Sequence, residues 1–120
     1  MQEYKIVVAG CRDFNDYSRL KMELDAHLDP MADFQIIIIS GCASGADALG
    51  EKYAMEHNLL IERYPADWER YGRAAGPKRN MQMAKATDEV IVFWDGKSRG
   101  TKNMIECAKK ANKPCKVVLY

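Results

Sequence analysis

The stretch IIIISGCASGADALGEKYA, Ile36 to Ala54, decides how the rest of the chain reads. Four consecutive isoleucines make a run that is apolar on both sides, as a strand buried on both faces requires. Seven residues with little or no side chain follow, Ser40 to Ala46, and then Ala46, Leu49, Tyr53 and Ala54 recur at helical spacing. The order is buried strand, bare loop, amphipathic helix. The loop has two readings. It is a tight turn, or its backbone is left uncovered so that a ligand, most plausibly a phosphate, can approach.

Outward from this stretch the same alternation repeats. Apolar runs lie at Tyr4–Ala9, Gln35–Ser40, Leu59–Tyr64, Glu89–Trp94 and Cys115–Tyr120. Helical patterns lie between them at Tyr17–Leu28, Ala46–His57, Pro77–Ala86 and Lys102–Ala111, with Leu20, Leu24 and Leu28 marking one face of the first. Strands alternating with helices predict an α/β fold: a single doubly wound parallel sheet of about five strands, helices on both faces, one domain over residues 1–120. In such sheets ligands bind beyond the carboxyl ends of the strands, so the residues placed there are the candidates.

The chain is 48% apolar and 29% charged, the balance of a soluble globular domain. A net charge of +1 gives no electrostatic case for coating DNA or an anionic membrane, so neither nucleic acid nor membrane is expected as a partner. No apolar run approaches the roughly 20 residues of a bilayer span. The start, MQEYKIVVAG, carries an acid early and enters a strand directly, which reads as no signal peptide and a cytoplasmic protein. Cys11, Cys42, Cys107 and Cys115 have no CxxC spacing and only His27 and His57 for company, so no metal site is expected and the thiols are expected reduced. No cofactor is expected, and an assembly of identical copies is left open.

Four loops supply the candidate residues. After the first strand, Gly10 permits a sharp exit and Arg12 stands where a bidentate donor can hold an anion. After the second, Gly41, Ser44 and Gly45 leave the backbone bare, and a helix starting near Gly45 points free N–H groups outward. Asp47, in its first turn, complements the helix dipole or holds a ribose hydroxyl. After the third comes a long irregular segment, Pro65 to Gly76, with Trp68 and Tyr71 able to stack on a base. Pro77 fits a first helical position, which puts Arg79 and Asn80 in a first turn. After the fourth, Gly96, Lys97, Ser98, Arg99 and Gly100 form a second small-residue loop, with Thr101 as N-cap of the last helix.

Taken together, SGCASGAD, PADW, AGPKRNMQM and SRGTKN occur in the order and spacing of a known group. The chain resembles the YspA-like branch of the SLOG superfamily, the Rossmann-like group that includes Lonely Guy phosphoribohydrolases and DprA-type DNA-processing proteins. The resemblance implies a Rossmann-like sheet that binds a nucleotide-derived small molecule. It matches Gly41, Ser44, Gly45 and Asp47 to the first ligand loop, Arg79 to an arginine that assists catalysis, and Gly100 and Thr101 to the second phosphate loop. The phosphoribohydrolases have a catalytic Glu three residues after that Thr, where this chain has Met104. The leading expectation is therefore a sensor or sequestering module for a nucleoside phosphate or ADP-ribose derivative. The alternative is a hydrolase of an N-glycosidic bond, with Asp47 and Arg79 catalytic. Cys11 and Cys42, after the first two strands, are expected side by side at the same sheet edge, as small buried residues filling tight turns or, as the alternative, with a reactive thiol between them.

Overall fold

The computed structural model describes all 120 residues. Five strands, β1 (Gln2–Gly10), β2 (Phe34–Ser40), β3 (Leu60–Arg63), β4 (Glu89–Trp94) and β5 (Cys115–Leu119), form one sheet in the order β3-β2-β1-β4-β5. Every pairing is parallel. The helices are α1 (Tyr17–Leu28), α2 (Ala46–Glu56), α3 (Trp68–Tyr71), α4 (Ala75–Ala86) and α5 (Arg99–Lys110). This is the doubly wound, Rossmann-like α/β architecture.

The central strands show why the apolar runs are continuous. On β1, Ile6 and Val8 enter a core with Leu20 and Leu24 of α1 and Tyr53 and Ala54 of α2. Val7 and Ala9 enter a second core with Met83 and Ala84 of α4 and Met104 and Ala108 of α5. Alternate side chains thus serve opposite helical layers, so no position can be polar. Strand order reverses between β1 and β4, and a crevice opens there at the carboxyl edge.

Three boundaries differ from the sequence reading. The segment Pro65–Gly76 is not wholly irregular: Asp67 caps α3 by accepting from the Arg70 N–H at 3.1 Å, and a 3₁₀ turn over Gly72–Ala74 leads into α4. α4 starts at Ala75, so Pro77 is its third residue and Arg79 and Asn80 lie beyond its first turn. α5 is capped by Ser98, whose hydroxyl accepts from the Thr101 N–H at 3.3 Å; Thr101 is inside the helix rather than its cap. Ser98 wins because its extended backbone points its hydroxyl at the first turn. No helix is long and apolar enough to cross a membrane.

Candidate functional site

The crevice between the ends of β1 and β4 is a cleft of about 570 Å³, floored by Ala9, Met83 and Met104 and walled by Arg12, Asp47, Trp68, Arg79, Asn80, Ser98 and Arg99. A second hollow of about 300 Å³ lies beside it, lined by Gly41, Cys42, Ser44 and Pro65 among others. Arg12, Ala43, Trp68 and Arg79 border both, so the two form one groove with these residues at the junction.

The groove floor is stitched by backbone. Cys11 N–H donates to the Phe93 carbonyl at 3.0 Å, and Asp95 N–H donates to the Cys11 sulfur at 3.4 Å. The Asp95 carboxylate accepts from the N–H groups of Ser98 and Lys97 at 2.9 and 2.8 Å, which hold its pKa below the usual carboxylate range. That bond pair folds the β4–α5 loop and sets the start of α5, so Gly100, Thr101, Asn103 and Met104 reach the cleft. Asn80 donates to Asn103 Oδ1 at 2.9 Å, tying α4 to α5 behind it.

The bare loop after β2 has an internal explanation. Ala46 N–H donates to the Cys11 carbonyl at 3.2 Å, and Ser44 Oγ donates to the Arg12 carbonyl at 3.3 Å. A Cβ on Gly45 would lie 2.2 Å from the Cys11 oxygen, with φ at +76°. Gly45 is small because the β1–α1 loop runs against it, and it borders neither hollow. Its expected role as a phosphate contact is corrected on that ground. The first N–H of α2 is likewise spent on protein.

Gly41 sits differently. A Cβ there would fall 2.8 Å from both Arg79 Nη1 and Asp47 Oδ2, so its bareness leaves room between two opposite charges. Asp47 is 5% exposed, and burial raises its carboxyl to about 6, although the N–H groups of Ala43 and Gly10 and the Arg79 charge pull the other way. Arg79 is half-buried; burial lowers its pKa and Asp47 opposes that. Arg79 donates Nη1 to the Gly41 carbonyl and Nε to Asn80 Oδ1, with no ion pair.

Of the residues expected at the site, Gly10, Arg12, Gly41, Ser44, Asp47, Trp68, Arg79, Asn80, Ser98, Gly100 and Thr101 border the groove, while Gly45, Gly96 and Lys97 do not. Ser98 and Thr101 hydroxyls face each other at 3.2 Å, and Thr101 also meets the Cys11 sulfur at 3.7 Å. Asn103 was missed; its spacing of three from Gly100 on a helix was the available signal. β1 and β2 are neighbours as expected. Cys11 is buried in the floor, whereas Cys42 is exposed on a left-handed turn at φ 67°. Burial of its sulfur and then Glu51 push the Cys42 thiol pKa up, which speaks for the packing reading over the reactive one.

Arg12, Arg79 and Arg99 line the cleft together with three carboxylates, Asp13, Asp47 and Asp95. Arg12, Arg70, Arg73, Arg79 and Arg99, five of the chain's seven arginines, form no ion pair. The other two, Arg19 and Arg63, are paired with Glu23 and Glu51.

Comparison with known proteins adds three findings. Gene 61 protein of Mycobacterium phage D29 is 30% identical over 118 residues, covering 92% of each chain. DNA processing protein A from Helicobacter pylori, described by its single-stranded DNA binding mode, superposes with a TM-score of 0.68 at 21% identity, covering 97% of this chain and 65% of its own. The C-terminal domain of a Pyrococcus furiosus hydrogenase gives a TM-score of 0.50 at 14% identity, covering 98% and 93%. The Helicobacter protein corrects two expectations. A nucleotide-derived small ligand, with the N-glycosidic hydrolase as its alternative, finds no support in any of these relatives, and the exclusion of nucleic acid conflicts with a fold neighbour described as binding single-stranded DNA. The physical error lay in using net charge, a sum over the whole molecule, for a question about one face. The sequence model of the YspA, cpYpsA-related SLOG family, YAcAr, matches residues 4–71, more than half of the chain, and the chain belongs to that family.

Proposed function

We propose that this chain binds single-stranded DNA along the groove, with residues 1–120 acting as one binding unit. The observation that carries the reading is Trp68, 50% exposed at the junction of the two hollows with Arg12 and Arg79 beside it. Single-strand binding sites combine aromatic platforms, on which bases of any sequence stack, with cations that follow the phosphates. Trp68 lies over Gly76, where a Cβ would be only 3.3 Å from its ring, so the indole is braced from below and open above.

The cations suit the task by their lack of partners. The half-buried Arg79 guanidinium faces Asp47 across Gly41 without an ion pair, and an incoming phosphate would add a charge-assisted bond to it. Arg79 keeps Nη2 free for it, since only Nε and Nη1 are bonded within the protein. Arg12 and Arg99 border the groove and are exposed, suited to successive phosphates, with Gly100 leaving open space beside Arg99. The fold likeness to the Helicobacter protein supports the same partner.

The test is fluorescence anisotropy of a labelled oligodeoxythymidylate at several salt concentrations. Three or four phosphate contacts give a log–log salt slope of roughly −2 to −3 for a single strand. Trp68→Ala should lose roughly 5- to 150-fold in affinity, the equivalent of about 1–3 kcal/mol per stacked base. Absence of binding at low salt, or full affinity in Trp68→Ala, would refute the proposal.

A further inference from the structure

Beyond the groove, two cations lie over an exposed aromatic ring and a third follows in the next turn. Tyr71, 38% exposed, is three residues after Trp68 on α3. Lys78 Nζ lies 4.7 Å from its ring centroid and Arg70 Cζ lies 5.1 Å from it. Arg73 follows in the 3₁₀ turn. None of these cations has a carboxylate partner. Two acids share the helix start: Asp67 accepts from the Arg70 backbone N–H, and Glu69, next to Arg70, forms no ion pair. The patch adjoins the groove: Gly76 and Pro77 border the cleft, Gly76 supports the Trp68 ring, and Lys78 comes next in the chain.

We propose that Arg70, Tyr71, Arg73 and Lys78 form a second landing for the same DNA strand as it leaves the groove past Trp68. The inference rests on the single-strand reading above and extends its footprint. Residues three apart on a helix hold their Cβ atoms roughly 5–6 Å apart, so Trp68 and Tyr71 can serve neighbouring nucleotides of one strand. The composition matches what one nucleotide presents: Lys78 and Arg70 now lie over the Tyr71 ring, and a base that stacks there frees them for the flanking phosphates. Duplex DNA hides its base faces and gains only the charge contacts here. The landing therefore favours a single strand.

The experiment compares two labelled oligodeoxythymidylates, roughly 4 and 15 nucleotides long, spanning the usual range of single-strand site sizes. The unaltered chain should bind the longer one more tightly than the extra registers alone explain. Tyr71→Ala should reduce the long-to-short affinity ratio by roughly 5-fold or more, and Tyr71→Phe, which keeps the ring, should restore it. Arg70→Ala combined with Lys78→Ala should lower the salt slope for the long oligomer by about 1 or more. Circular dichroism of each variant checks folding, and Tyr71→Leu, which removes the aromatic face but keeps apolar bulk, carries the test if Tyr71→Ala fails to fold. If both lengths bind and the ratio survives in Tyr71→Ala, this inference is overturned and the groove reading stands. If the unaltered chain binds neither length, both are overturned.

Discussion

Replacing Gly45 by alanine separates the two roles that a bare loop can have. The new Cβ would lie 2.2 Å from the Cys11 carbonyl oxygen and 2.6 Å from both the Arg12 carbonyl carbon and oxygen. These are backbone atoms, held by the Ala46-to-Cys11 hydrogen bond, so no side chain can swing away. The residue also sits at φ +76°, ψ −129°, outside the regions open to alanine. Backbone strain of this kind costs about 1–3 kcal/mol and overpacking about 1–3 more, together a large part of the roughly 5–15 kcal/mol that holds a domain folded. With a urea m-value of about 1.5 kcal/mol/M, a loss of about 3 kcal/mol lowers the midpoint by about 2 M. Gly100→Ala is the matched control. Its Cβ meets nothing within 4 Å and lies in the first turn of α5, where alanine is favoured over glycine by about 0.5–1 kcal/mol. Urea unfolding followed by far-UV circular dichroism measures both. A Gly45→Ala midpoint equal to that of the unaltered chain would refute the reasoning. Paired with lost DNA affinity, it would return Gly45 to the ligand.

Two further substitutions probe the charges in the groove. Burial pushes the Asp47 carboxyl up to about 6, above the ordinary aspartate range near 4, so the folded state holds its proton the more tightly. The stability it contributes is full below about pH 4 and is lost as pH rises through about 6, a change on the order of 3 kcal/mol. Thermal unfolding between those pH values should show this loss in the unaltered chain and not in Asp47→Asn, and a parallel pair of profiles would show that Asp47 is not desolvated. Arg79→Lys keeps the charge but cannot reproduce the fork that joins Gly41 and Asn80 while leaving Nη2 free. DNA affinity by anisotropy should fall by about 1.5–3 kcal/mol, the value of a charged hydrogen bond, and an unchanged affinity would exclude Arg79 from the contact.

The architecture was legible because its signal is local. Ile36–Ile39 and Val90–Phe93 are apolar at every position, and only a strand covered on both faces needs that. The sheet edge carrying the cleft followed from the same rule, and so did many of its residues: Arg12 comes from the loop after β1, Asp47 from the start of α2, and Ser98 and Gly100 from the cap and first turn of α5. Less legible were the places where short-range options compete. Ser98 and Thr101 are both good caps, and the choice between them depends on Asp95, whose carboxylate folds the preceding turn. α3 is four residues long, below the length at which periodicity carries information.

Gly45 and the arginines mark where reading by residue type stops. Small residues permit close approach, but the pattern does not say what approaches. At Gly45 it is the chain's own backbone, and at Gly41 it is the space between Asp47 and Arg79. Charge has the same ambiguity in reverse. A sum of +1 is compatible with cations paired everywhere or with cations gathered on one face. Here Glu23, Asp25 and Glu62 hold Arg19, Lys21 and Lys5 away from the groove. In the cleft, Arg12, Arg79 and Arg99 stand with Asp13, Asp47 and Asp95, and the Asp95 carboxylate is bonded to the N–H groups of Lys97 and Ser98. The field at a ligand within a Debye length of about 8–10 Å is set by the unpaired charges around it, not by the molecule's sum. A near-neutral chain can therefore present cations to a polyanion where the acids beside them are bonded within the protein, as Asp95 is, or held by burial toward the neutral form, as Asp47 is.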